Sequence, residues 1–352
     1  MIGKRNLGKA VVLGLLLSTG MYGAAWAADI PSSGLWDPEN PIFTEIPAGD
    51  NLIVTTDGIG IGPKGTVNVI DGDLTVDSGS NSIQSGYSEN ATVQILANNV
   101  TLTSGDNGIF TTLESGYRST VQLGEENGRK IQSLTINAEG QGIDNKNGDV
   151  YIYGTDDSVI NISTTAESGI FKGYYSAVHN ETDGTIEING GNISLTAEND
   201  SSDGINHIKG KTILNSNGVV INANGHGVYS EGGLVSLNTK GSNSISALGD
   251  MGSGVWAGFR YGTGTGDGKG IINIIASAAY DETVGTDSLD VKTGYDNTIY
   301  SRYNNGIISS DEGTINVIAD RDNFITGQGS AVTIDALWSN SPKSIINIVA
   351  GG

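Results

Sequence analysis

Gly313-Thr314-Ile315-Asn316-Val317 has a form, Gly-Thr followed by apolar, polar and apolar residues, that the chain repeats about ten times. The copies include Thr66-Val67-Asn68-Val69, Thr92-Val93-Gln94-Ile95, Thr120-Val121-Gln122-Leu123, Thr185-Ile186-Glu187-Ile188 and Ile345-Ile346-Asn347-Ile348. Alternation of mostly β-branched with polar residues predicts a strand with one buried and one wet face. We name this strand B. The copy Thr212-Ile213-Leu214-Asn215 breaks the alternation and predicts a weaker rung.

Two further elements recur in fixed order. Before each B comes a small or polar residue, then Ile or Val. These A anchors are read at Ile59, Ile83, Ile109, Ile143, Ile170, Ile205, Val228, Val255, Ile299 and Val332. After B comes strand C, as in Asn99-Val100-Thr101-Leu102, Val159-Ile160-Asn161-Ile162 and Leu289-Asp290-Val291. Three short strands in unchanging order, separated by Gly, Asn, Asp and Ser, predict a solenoid. The expected fold is all-β: a single-stranded, right-handed parallel β-helix of about ten three-strand coils. At about 4.8 Å per rung it forms a rod about 50 Å long. Inward Ile109, Ile143 and Ile170 should lie over one another. Proline fits this reading, because Pro31, Pro38, Pro41 and Pro47 precede the repeats and Pro63 and Pro342 fall in arms between A and B.

The domain reading is a signal peptide over 1–27, an N-terminal cap over 28–50 and repeats over 51–352. Lys4, Arg5 and Lys9 precede the apolar run Ala10–Leu17, which is too short to span a bilayer, and Ala25-Trp26-Ala27 fits cleavage before Ala28. Removing those three cations leaves 15 Lys+Arg against 39 Asp+Glu, a net charge of −24. Such a surface is a poor partner for nucleic acid or anionic membrane. There is no cysteine, so ladder and core must hold the fold without disulfides.

Signal peptide, absence of Cys, Gly/Asn/Thr-rich composition and repeats such as Asn305-Gly306-Ile307 leading to Gly313–Val317 together resemble the passenger region of a bacterial autotransporter, a type V secreted protein. The resemblance implies a β-helix secreted or displayed at the outer surface, many such passengers being adhesins. The sequence to Gly352 carries none of the amphipathic transmembrane strands of the family's C-terminal barrel, and is read as a fragment or a member without its distal half. Membrane attachment is expected only through that barrel.

The residue after an A anchor should point outward, and it is often aromatic: Phe110, Phe171, Tyr229, Trp256 and Tyr300. An exposed stripe of these could stack sugar rings or anchor a protein; it could equally be aromatics covering their own strand. The middle residues of strand B, among them Asn68, Gln94, Gln122, Asn273, Asn316 and Asn347, suggest an amide ladder. Gly262–Gly268 resembles half of a calcium-binding nonapeptide, but one copy supplies too few oxygens, and no metal or cofactor is expected. The carboxylate pairs Asp71/Asp73, Asp156/Asp157 and Asp320/Asp322 sit in turn-like segments, and His179, His207 and His226 are read in separate arms. No nucleophile motif accompanies them, so no catalytic residue is assigned. The leading reading is a non-enzymatic adhesin-type passenger binding host or bacterial surface glycan or protein. The alternatives are a carbohydrate-active β-helix enzyme, such as a polysaccharide lyase or hydrolase, and a structural spacer.

Overall fold

The computed structural model describes residues 27–351, apart from 32–33, 88, 113–116, 166–174, 200, 251, 259–268, 278–294, 311 and 336–343. Among these are 32 strands and no helix. Every pairing joins one coil to the next in parallel, so the chain is a parallel β-helix. The A strands form an 11-stranded sheet. The B and C faces merge into one 21-stranded sheet, because Gly148–Thr164 runs through both without a break.

There is one more rung than the repeat count gives. Ala27–Pro31, Leu35–Trp36 and Ile42–Ile46 pair with Asn51–Thr56, Ile61–Gly62 and Gly65–Val69. The stretch expected to cap the helix therefore supplies its first coil. Three A anchors also move. Ile61, not Ile59, lies beside Ile83. Ile109 lies over Ile143 as expected, but the next residue in the column is Val178; Ile170 falls outside the described residues. Ile307 follows Val255, and Ile299 belongs to strand C, beside Ile245. Leu289–Val291 lies outside the described residues. The B strands are where the repeat places them, with Val67 beside Ile95 rather than Val93. A slip of two residues keeps the same side chains inside.

The small residue before each A anchor has a steric cause. A Cβ on Gly142 would stand 2.3 Å from Ile162 Cγ2 and 2.5 Å from the Ala177 carbonyl oxygen; on Gly204 it would stand 2.1 Å from Ile221 Cγ2. The corner from C to A thus presses the backbone against the inner methyls of strand C. Ala177 fills the same place before Val178, which explains why a small residue suffices to mark the anchor.

The core is a tube of Ile, Val and Leu from all three faces, and most of these side chains are fully buried. One inward column is polar. It lies at the corner from A to B and includes Thr111, Asn145, Asn180, His207 and Ser230, all buried. Its members satisfy turn carbonyls. Asn145 Nδ2 donates to the Gly148 oxygen and to Asn180 Oδ1, both at 2.9 Å, and Asn180 Nδ2 donates to Gly184 and Lys211. His207 Nε2–H donates to the Gly210 oxygen at 3.2 Å, and Nδ1 accepts from Thr212 Oγ1 at 3.0 Å. Thr212 itself points inward beside Ile186 and Val235, so the broken alternation there places a hydroxyl in the core, where His207 engages it. Buried polar groups are tolerated when bonded in this way.

Of the expected amide column Asn273, Asn316 and Asn347 are joined, while Gln122 Nε2 donates to the Gly124 oxygen at 2.9 Å rather than to a neighbouring amide. Asn347 donates to Asn316 and Asn316 to Asn273, each at 2.8 Å. Asn68 is out of that column, since Thr66 is the residue beside Gln94. Further ladders join Asn189, Asn215 and Asn238, and Asn243, Asn297 and Asn323.

Two predictions follow from the packing. Ile274, Val317 and Ile348 share one inward column, but Ile274 is fully buried while Ile348, on the last rung, is 43% exposed. Ile274→Ala should cost about 2–5 kcal/mol, and Ile348→Ala about 1 kcal/mol or less, compared by urea unfolding. Equal costs would deny the tube its core. The second concerns His207, whose pKa is pushed down to about 3 from 6.5, chiefly by burial, with the Gly210 bond opposing and His179 adding to the shift. The unfolded chain therefore binds the extra proton between those values. The stability of the neutral ring is whole above about pH 6.5 and is lost as pH falls toward 3, by at most about 1.4 kcal/mol per pH unit. His207→Asn should be less stable than the parent at pH 7, and the gap should narrow by pH 4.5. A gap of constant size would remove this assignment.

Candidate functional site

The expected aromatic stripe does not form. The outward column of the A face reads Phe110, Asp144, His179, Asn206, Tyr229, Trp256 and Ile308. Three polar rungs separate Phe110 from Tyr229. Tyr229 and Trp256 are neighbours, but only 5% and 8% exposed. Their rings meet edge to face at 6.1 Å, His226 packs against both, and the Trp256 indole N–H donates to Ser310 Oγ at 3.0 Å. With Ile308 they make a small apolar cluster outside the main core. Tyr300 is on the C face, between Ser246 and Thr326, because its strand is a C strand. Phe171 lies outside the described residues, as does Gly262–Gly268. Alternation told which way these side chains leave the sheet; it could not tell that neighbours close over them.

Polar rungs of the same face bring together groups that lie far apart in sequence. His179 and His207 are on adjacent A strands, and His226 is in the turn before the next, so the three histidines share one side. His179 Nδ1 lies 2.9 Å from Asp144 Oδ1, and Lys146 bridges Asp144 and Glu181. Burial, and then the charge of Asp144, raises the Asp106 carboxyl above its ordinary range. Asn206 Nδ2 donates to Asp203 Oδ2 at 3.0 Å. The contacts of His179 with Asp144 and of Lys146 with Glu181 tie successive rungs together. No nucleophile stands within hydrogen-bond reach of His179 among the described residues.

The open site lies elsewhere, at the corner where strand C turns into strand A. A groove of about 420 Å³ runs there across five successive rungs. Its walls are Thr55, Thr56 and Asp57, then Asp77, Ser78 and Gly79, then Thr103, Ser104 and Gly105, then Asn137, Ala138 and Glu139, ending at Thr165. Pairing sets Thr55, Asp77, Thr103, Asn137 and Ser163 side by side. The ladder continues round the bend: the N–H groups of Gly79, Gly105, Glu139 and Thr165 donate to the oxygens of Thr56, Ser78, Ser104 and Ala138 at 2.8–3.0 Å. Backbone polarity is thus spent within the stack, which leaves side chains to meet a ligand.

The groove has a definite composition. From Thr56, Ser78, Ser104 and Ala138 to the following A anchor the chain takes five residues each time, so four corners superpose. After Thr164 the arm to Val178 is longer, and the described lining reaches Thr165. Asp57, Asp77, Thr103 and Glu139 are exposed, and their side chains engage no other described residue by hydrogen bond or ion pair. Among the described residues no Lys, Arg, His or aromatic residue lines the space. Nor do the carboxylate pairs singled out in the sequence: Asp73, for example, accepts from Asn99 Nδ2 at 2.7 Å. The signal that could have found the groove is the recurrence of Thr-Thr-Asp-Gly, Asp-Ser-Gly-Ser and Thr-Ser-Gly-Asp after strand C, which reads as turn punctuation until the corners are stacked.

Among the described residues no group of three or more His, Asp or Glu side chains is placed to hold a metal ion. Compared with protein-family models, curated proteins and solved structures, the chain matches none.

Proposed function

We propose that the chain is a secreted or surface-displayed β-helix of the autotransporter-passenger type that works as an adhesin, binding glycan on host or bacterial surfaces without chemical change. One observation carries this reading. The groove offers hydroxyl, amide and carboxylate groups over five rungs, with no apolar lining side chain larger than the Ala138 methyl. A surface of that kind suits a polyhydroxylated ligand, whose many weak hydrogen bonds need many partners in fixed places. The rod supplies rigidity, so the partners are arranged before the ligand arrives. The strong negative charge of the chain turns binding away from nucleic acid and anionic lipid.

A second reading has an observation in its favour. Asp57, Asp77 and Glu139 share the groove, and paired carboxylates are what glycoside hydrolysis requires. Against it, no aromatic platform accompanies them among the described residues.

Residues 28–352 on an immobilised glycan and matrix array should give reproducible glycan hits. Replacing Thr55, Thr103 and Asn137 together by Ala should weaken them at least about tenfold, in keeping with three hydrogen bonds at about 0.5–1.5 kcal/mol each. Intact oligosaccharides after incubation, read by mass spectrometry, fit the adhesin; cleavage abolished by Asp77→Asn would replace it with the enzyme. An array without glycan hits removes both.

A further inference from the structure

We infer that the groove takes a linear, unbranched glycan lying along the stack axis, neutral or amine-bearing, with on the order of four to five sugar rings in register with successive rungs. This rests on the glycan-binding reading above and specifies its ligand.

The direction follows from the way the groove is made. Each wall residue is repeated by the coil above it: Thr55, Asp77, Thr103 and Asn137 stand in one row, Thr56, Ser78, Ser104 and Ala138 in the next, and Asp57, Gly79, Gly105 and Glu139 in the third. The rows run parallel to the axis with a period of about 4.8 Å. The rise of one pyranose in an extended chain is close to that period. A chain laid along the rows therefore meets an exposed polar side chain at each rung, Thr55, Asp77, Thr103 and Asn137 in turn, whereas a chain laid across them meets one rung and then leaves the groove.

The floor adds a shape requirement. At the middle two rungs the third row is Gly79 and Gly105, and a Cβ on Gly105 would come within 2.6 Å of the Gly79 carbonyl oxygen. The other positions of that row are Asp57 on one side and Glu139 and Thr165 on the other. The trough is thus shallowly floored by backbone in the centre and flanked by longer side chains beyond it. A branch point would have to leave over these walls.

Charge sets the class. Three carboxylates and, among the described residues, no cation face the space, on a chain of strong net negative charge. Sulfated or uronic glycans meet like charge at Asp57, Asp77 and Glu139, where an ammonium group meets an opposite one.

Isothermal titration of residues 28–352 with β-1,4-linked glucosamine and N-acetylglucosamine oligomers of two to six units, and with heparin-derived oligosaccharides, tests the assignment. Affinity should rise several-fold per added ring and level off near five, with heparin fragments not binding. Thr103→Trp, an exposed position at mid-groove, should abolish the gain beyond two rings. Asp77→Lys should weaken the glucosamine series more than the N-acetylated one. Unchanged melting temperatures would confirm folding of both variants. Affinity independent of length, tighter binding of heparin fragments, or length dependence unaffected by Thr103→Trp would overturn the inference. If array hits persist in any of those cases, the adhesin reading survives without it; if neither oligomer series binds and the array is blank, both fall.

Discussion

One coil of this chain cannot bury anything. Its three strands enclose a single layer of inward side chains, and both edges of every strand carry unpaired N–H and C=O groups. The next coil answers both needs at once: it pairs the edge and places Ile or Val on Ile or Val. Everything else in the molecule is fitted to that parallel stacking. Corners must be thin enough for coils to sit one rung apart, which is why a small residue stands before each A anchor where inner methyls of strand C come close. Corners must also keep the ladder intact, and the bonds from Gly79 to Thr56 and from Gly105 to Ser78 show that they do.

Stacking explains as well why polar residues can live inside. The column through Asn145, Asn180 and His207 sits where the chain turns from A to B, and the carbonyls of that turn would otherwise be buried without donors. A strand interior could not use such side chains, since its own backbone is already paired. The apolar tube and the polar seams at its corners are two consequences of a single winding.

Strand B was legible because its signal is long: four alternating residues after a Gly or Thr admit one reading. The A anchor is only a dipeptide, and neighbourhoods often contain two. Gly58-Ile59-Gly60-Ile61 offers both, and only pairing with Ile83 chooses Ile61. Gly306-Ile307 competes with Thr298-Ile299, and register with Val255 decides. The N-terminal rung was hidden by its prolines, which mark it as an edge without saying that the edge is itself a strand. Side-chain direction was likewise legible where side-chain cover was not. Tyr229 and Trp256 do leave the sheet on its outer face, yet they pack with His226 and Ile308 into a closed cluster. That is a tertiary fact, invisible to a rule of alternation.

The groove belongs to a different category, because no coil contains it. Thr55 and Asp57 alone are two exposed residues at a bend. They become part of a trough only when four successive corners have the same length and therefore superpose. Constancy of corner length acts here as variation does elsewhere on the rod, where the A-to-B arm takes 7 residues between Val228 and Val235 but 17 between Val255 and Ile272. Variable arms can present a local feature on one rung. A run of equal arms holds a side chain at the same place on every rung, although its chemistry changes from Thr55 to Asp77 to Thr103, and a surface with such a spacing matches best a ligand that repeats at the same interval. The winding that fills the core with isoleucine therefore also fixes the spacing at which the outer face can bind.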